Sequence, residues 1–306
     1  MKKTLTLLLL AAALGSSRSA QFDVRDEKTF QAIVPNGATL VTNATGFKFT
    51  EGPVWVGGAN GYLVFSDIPA DELKKWTPKE GITVFRKPSR NSNGNRLDRK
   101  GRLVTCEHSG RRVVRAEADG SLTVLADNFE GRKLNSPNDV AVRKDGSLYF
   151  TDPDYGLGNQ PREVAGCYVY RIDPAKGTLT AVAKDFDRPN GIVFSPDEKR
   201  LYIGDSGQPH HIRVFDVKSD GTLANGRVFC QIDNGVPDGI RVDVRGRVFS
   251  SAGDGVQIFD TDGRLIGKIL VPQCVANLCF GGKGGRTLFM TAQSGLYSLE
   301  LLTSGR

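Results

Sequence analysis

Six polar residues, Glu51, Asn93, Asn138, Asn190, Asp238 and Asn277, occupy matching places along the chain. Each lies some eight to ten residues ahead of a turn that opens an apolar strand. Read one at a time, Asn or Asp before Gly is a turn former, entering the strand through an Asx-turn. That reading accounts for Asn190-Gly191 and Asp238-Gly239, but not for Glu51, a poor turn residue, in the same register. Brought to one point, two carboxylates and several amide oxygens form a ligand set for one hard divalent cation. Ca²⁺ is the natural candidate in an exported protein, with Mg²⁺, Mn²⁺ or Zn²⁺ as alternatives. Without a cation, Glu51 and Asp238 at close range would repel, and one of them would bind its proton more tightly.

The elements that must bring these residues together are read from the stretch Leu134–Asp154. Asn138-Asp139 precedes the short apolar run Val140-Ala141-Val142, and Asp145-Gly146 then turns the chain into Leu148-Tyr149-Phe150. Short apolar runs hinged on Asp-Gly predict a β-hairpin. The same unit follows Gly61, Gly101, Arg200, Gly246 and Gly285, at intervals of about 40 to 54 residues. Repeats of this period with short strands are the signature of β-propeller blades, and six units predict an all-β, six-bladed β-propeller. A blade buries its faces only against its neighbours, so residues 21–306 are expected to form a single domain. Ala38–Val41 or a neighbouring N-terminal strand should close the ring beside Leu296–Leu299. The widest interval holds Gly156–Glu163, a long loop of the kind that lines a site.

Composition narrows the function classes. The chain has 306 residues with 36 Gly, and its net charge of +7 comes from 41 basic residues scattered among 34 acidic ones. No basic run is interleaved with aromatics, so no nucleic-acid partner is expected. Residues 1–20 join Lys2-Lys3 to the apolar run Leu5–Leu14 and then to small residues. This pattern predicts a secretory signal peptide, too short to span a bilayer. The protein is therefore expected to be exported, to the periplasm or beyond, without a stable membrane anchor. Five cysteines allow at most two disulfides; their wide spacing favours buried thiols, and Cys274 with Cys279 is the one pair close in sequence.

Several segments carry a family resemblance: Phe49–Trp55, Phe65–Pro69, Cys106-Glu107-His108, Arg111–Val113, Leu134–Val140, Tyr149–Pro153, Pro189-Asn190-Gly191 and Pro237-Asp238-Gly239. In this order the chain resembles the SMP-30/gluconolactonase/regucalcin-like family of six-bladed propellers, and its bacterial gluconolactonase branch most closely. The resemblance implies a divalent-metal-dependent lactonase acting on a small-molecule sugar lactone. It implies metal ligands at Glu51, Asn190 and Asp238, a channel residue contacting metal or substrate at Asn138, and Asp238 as general base. Ser136 stands where animal members hold an Arg that contacts the lactone, so substrate identity is expected to depend on this position. His108 follows its strand closely enough to reach the channel mouth, which makes it a third candidate for substrate contact. His210-His211 are expected in a solvated loop; Asp152, Asp154 and Tyr155 are candidates to shape the mouth, with an Asp-Pro turn that ends a strand as the first reading. Ser195 lacks a nucleophile elbow. Two other readings keep the fold: a lactonase or esterase for non-sugar substrates, and a non-catalytic ligand-binding propeller with a structural cation.

Overall fold

A computed structural model describes residues 21–58 and 60–306. The signal peptide expected over residues 1–20 lies outside the described residues. Six antiparallel sheets, each built around four strands, are arranged as the blades of a six-bladed β-propeller. Their innermost strands are Thr50–Val56, Ser92–Leu97, Val140–Val142, Pro189–Phe194, Ile240–Val242 and Val275–Gly281. The Asp145-Gly146 hinge forms as expected, pairing Val140 with Phe150 and Val142 with Leu148.

What holds the blades together follows from strand periodicity. Successive side chains on a strand point to opposite faces, so each second strand feeds two seams. Phe65 packs toward blade six and Val64 toward blade two. Tyr149 packs toward blade four and its neighbour Phe150 toward blade two. Phe249 and Val248 divide in the same way between blades six and four. Every seam therefore owns one apolar cluster. At roughly 1.5–3 kcal/mol for each fully buried large apolar side chain, these clusters supply the main stabilising term.

The ring is closed by an N-terminal strand, Val41–Thr45, the outermost strand of blade six, where Val41 opposes Ser298 and Thr45 opposes Gly295. It starts at the C-terminal limit of the expected 38–41 segment because residues 38–40 pass outside the strand. A second N-terminal strand, Phe22–Val24, adds a fifth member to blade five, and at three residues it is too short to show a period. The helix that follows, Glu27–Gln31, is capped by the Asp26 carboxylate, which accepts from Thr29 N at 3.1 Å. Its Phe30 is buried where Gly267 leaves room; a Cβ there would lie 2.7 Å from the Phe30 ring. All five cysteines are free thiols, four buried and Cys274 exposed. Among the described residues no helix is long and apolar enough to cross a membrane.

Both tryptophans of the chain sit at the closing seam. Phe289 of blade six stacks on Trp55 of blade one (5.3 Å, 8°) and meets Trp76 edge-on (5.5 Å, 62°). Removing a buried Phe side chain costs about 3–5 kcal/mol. Phe289→Ala is expected to lose that much stability in urea unfolding followed by tryptophan emission; a loss below about 1 kcal/mol would show that the seam repacks freely.

Candidate active site in the central channel

The head of each innermost strand is fixed sideways to the next blade. Gly94 N donates to Asn138 O (2.8 Å), Gly191 N to Asp238 O (3.1 Å) and Gly239 N to Ala276 O (2.8 Å). Hydroxyls on second strands serve other seams, Ser66 Oγ donating to Asn93 O (2.7 Å) and Thr151 Oγ1 to Asn190 O (2.7 Å), while Ser251 Oγ reinforces the last link through Ala276 O (2.9 Å). The carbonyls are thus committed between blades, while the side chains of Glu51, Asn93, Asn138, Asn190 and Asp238 line one cavity of about 360 Å³. The glycines that follow these residues are required by the closeness of the blades. A Cβ on Gly52 would sit 2.0 Å from Asn93 O, and one on Gly191 2.0 Å from Asp238 O. The Asx-turn reading is therefore superseded by an inter-blade contact that excludes any side chain.

The sixth position differs from expectation. Because Gly239 bonds to Ala276 O, the residue equivalent to Asp238 in blade six is Ala276, and Asn277 is displaced by one. Asp238 lies eight residues before Gly246 but Ala276 lies nine before Gly285, so the same count back from Gly285 lands one place late, on Asn277. The bulge between Val275 and Asn277 is shared with blades one, two and four. Asn277 instead supports the ring, since its Nδ2 donates to Glu51 Oε2 at 2.9 Å and its Oδ1 accepts from Leu278 N at 2.8 Å. Gly52 N also donates to Glu51 Oε2, so one oxygen of this carboxylate is held by two N–H groups.

Of the three residues expected to touch substrate, Asn138 and His108 line the cavity and Ser136 does not. Ser136 is fully buried; its hydroxyl donates to Pro153 O (2.6 Å) and accepts from Gly156 N (2.9 Å). A serine here fixes the 153–156 turn beneath the mouth, and with both hydrogen-bond roles used its hydroxyl is committed to the backbone. His108 Nε2 accepts from Asn93 Nδ2 at 3.1 Å, and burial pushes the imidazole down to about 4, so it is neutral at pH 7. Asp152 is also buried away from the cavity, accepting from Asn135 N at 2.8 Å, and burial pushes it up to about 8. His210 and His211 lie outside the cavity lining.

The mouth is formed by Tyr155, a candidate for that place from the sequence, and by residues with no such expectation. Tyr155, set on a short 3-10 turn (Tyr155–Leu157) of the long loop, reaches the cavity together with Phe49, Ile68, Ser206 and Val236. Tyr155 is 40 % exposed and packs under the Arg188 guanidinium (5.5 Å), which in turn pairs with Asp154 (3.4 Å). These residues share no repeat position, so periodicity cannot find them. The second-strand hydroxyls could have been found, because Ser66, Thr151, Ser251 and Thr291 recur at one position in four blades.

The electrostatics favour a bound cation. Burial pushes Glu51 up to about 7, and the Asp139 charge adds to the shift against the Asn277 hydrogen bond. Burial, then Glu51 and Asp139, push Asp238 well above the carboxylate range, with the Asn190 amide opposing. The Asn93 Oδ1 atom is buried without a hydrogen-bond partner. Two destabilised carboxylates and amide oxygens, one of them an unused acceptor, fit the oxygen ligand set of a hard divalent ion. Glu51, Asn190 and Asp238, with Asn138 and Asn93 beside them, are the residues able to hold it.

Comparison with known proteins agrees with this architecture. The family model described as SMP-30/Gluconolactonase/LRE-like region matches residues 49–294. A gluconolactonase of Zymomonas mobilis is 35% identical, the match covering 90% of this chain and 84% of that protein. A pentonolactonase of Haloferax volcanii is 28% identical over 82% of this chain and 84% of its own. The solved structure of a gluconolactonase from Xanthomonas campestris superposes with a TM-score of 0.87 at 35% identity, covering 93% of this chain and 96% of that one. With the matched region enclosing the heads of all six innermost strands, the chain belongs to the SMP-30/gluconolactonase/LRE-like family.

Proposed function

We propose that this protein is a divalent-metal-dependent hydrolase that opens a small sugar lactone of the gluconolactone type to its aldonic acid. The observation that carries the reading is the meeting of Glu51, buried, and Asp238, half-buried, from different blades, with Asn93, Asn138, Asn190 and His108 around one cavity. Its volume of about 360 Å³ falls in the range of small-molecule sites, about 300–1,000 Å³. The names of the relatives from Zymomonas mobilis and Haloferax volcanii support the substrate class.

A divalent cation at Glu51, Asn190 and Asp238, Ca²⁺ foremost, would supply Lewis-acid polarisation of the lactone carbonyl and stabilise the developing oxyanion. The rest falls to the chain's own groups. Asp238 takes a proton from the attacking water and returns it to the ring oxygen as the acyl C–O bond breaks. Desolvation raises its affinity for that proton, which suits a base whose other oxygen is a ligand. Asn138 offers amide donors to substrate hydroxyls, and the free Asn93 Oδ1 offers an acceptor. Neutral His108 holds the Asn93 amide without adding positive charge beside the ligands. Tyr155 narrows the mouth against water. The apolar run Leu5–Leu14 behind Lys2-Lys3 supports export of this activity.

The apolar rim of Phe49, Ile68 and Val236 favours a second reading, in which the same site takes a less polar lactone or ester. A lactone panel separates the two. Glucono-1,5-lactone is expected to turn over faster than unsubstituted or acyl lactones, EDTA to abolish turnover, and Asp238→Asn to lower kcat by about 10²–10⁴. Full activity in EDTA or in the variant would overturn the mechanism, and cation binding with no turnover on any lactone would leave a binding propeller. A pH dependence follows from the raised carboxylates. Cation binding must displace protons held up to about pH 7 at Glu51 and higher at Asp238, so Ca²⁺ affinity should fall steadily from pH 8.5 to pH 6. Calorimetry in buffers of different ionisation enthalpy reads the released protons; affinity and heat independent of pH and buffer would count against these ligands.

A further inference from the structure

The channel has a second end with the opposite charge. A cavity of about 330 Å³ is lined by residues three and four positions beyond the strand heads in all six blades, such as Val54, Arg96, Ala141, Val193, Arg241 and Cys279. At about 3.3 Å per residue, it opens about 10 Å along the axis from the acidic site. Four arginines line it, Arg96, Arg99, Arg241 and Arg306, and no Asp or Glu does.

Arg96 and Arg241 belong to blades two and five, which stand opposite one another across a ring of six. Arg241 is 3% exposed, and only its Nη1 is satisfied, by Ile240 O (2.7 Å) and Asp139 Oδ2 (3.3 Å). Its Nε and Nη2 are buried without an acceptor. Arg306 is paired with Glu198, whereas among the described residues Arg96 and Arg99 make no ion pair. Four guanidinium groups therefore share two carboxylate partners. Burial, followed by the charge of Arg241, pushes Arg96 down to about 9. Buried polar groups nearly always find a partner, and forked guanidinium donors match tetrahedral oxyanions.

We propose that this end of the channel is a binding site for a phosphate group, free or carried as a monoester by a small organic molecule. Arg241 offers its Nε and Nη2 donors from the floor, Arg96 faces it from the opposite blade, and Arg99 with Arg306 forms the rim. The apolar wall residues, Val193 and Phe280 among them, leave space for the organic part of an ester. The site is independent of the lactonase reading, since none of its arginines lines the acidic cavity.

Calorimetry on the full chain tests it, with inorganic phosphate, glycerol 3-phosphate and, at matched ionic strength, sodium chloride as probes. One phosphate-bearing probe is expected to bind one-to-one, and Arg96→Gln to weaken it at least tenfold with Ca²⁺ affinity unchanged. Should Arg96→Gln fail to fold, Arg99→Gln at the exposed rim is expected to weaken binding several-fold. Preference for the ester or for free phosphate identifies the source of the group. No heat from either phosphate probe at millimolar concentration, an equal response to chloride, or affinity untouched by the arginine variants would overturn the proposal.

Discussion

The interaction on which this molecule depends is the backbone link between neighbouring innermost strands, seen in Gly191 N–Asp238 O and Gly94 N–Asn138 O. It settles two things at once. It satisfies main-chain groups that the bulged strand heads leave outside their own ladders, which buried backbone requires. It also commits the carbonyls of Asn138 and Asp238 to the neighbouring blade while their side chains line the channel. The fold and the site are thus products of one contact, and the glycine that permits it is as necessary to the site as the ligand beside it. At Gly52 or Gly191 even a methyl group would have to push the neighbouring strand away, moving Glu51 or Asn190 with it.

Along the axis, charge is arranged in layers. Glu51 and Asp238 form the acidic layer; beneath it Asp139 and Arg241 pair at 3.3 Å; Arg96 stands level with Arg241 on the opposite blade, and Arg99 lies beyond. Asp139 occupies in blade three the place that glycine holds in blades one, two, four and five, which admits a carboxylate to the middle layer. The pair is buried on both sides, where desolvation offsets much of its attraction, so net stability is a weak explanation for it. Its position suggests an electrostatic role: Asp139 makes the acidic layer harder to ionise, Arg241 partly offsets this at Glu51, and the orphaned Arg241 donors are left for the opposite end.

The legible parts of the sequence were those that repeat. Five intervals between six apolar strands disclosed six blades, and a shared register disclosed five of the six strand heads. Asn277 was misplaced because Ala276 stands nine residues before its turn glycine where Asp238 stands eight; where the only ruler is distance from a turn, a polar residue one step from the register looks the same as one on it. Ser136 misled in another way. Its position was transferred from relatives with a long Arg side chain, whereas a short hydroxyl in that place finds Pro153 O and Gly156 N within reach and bonds to them. Tyr155 and the N-terminal strand Phe22–Val24 belong to no repeat, and contacts between segments far apart in sequence decide them.

Such failures have a physical order. Periodicity reports what every blade must do, namely bury two faces and bond to its neighbours. Specificity resides in what one blade does alone: the long loop that sets Tyr155 at the mouth, and the amide of Asn277 and the carboxylate of Asp139 where the other four blades keep glycine. The hydrogen bond from Asn277 to Glu51 illustrates the distinction. Had Asn277 been a sixth spoke, one amide more would have faced the cavity and one Glu51 oxygen would have lost a donor. By stepping out of register it leaves Ala276 at the sixth position and holds one carboxylate oxygen, so the ring is asymmetric, with amides on three blades, a carboxylate on each of two and a methyl on the last. An asymmetric ring has a preferred direction for a substrate to lie, which six equal spokes could not supply.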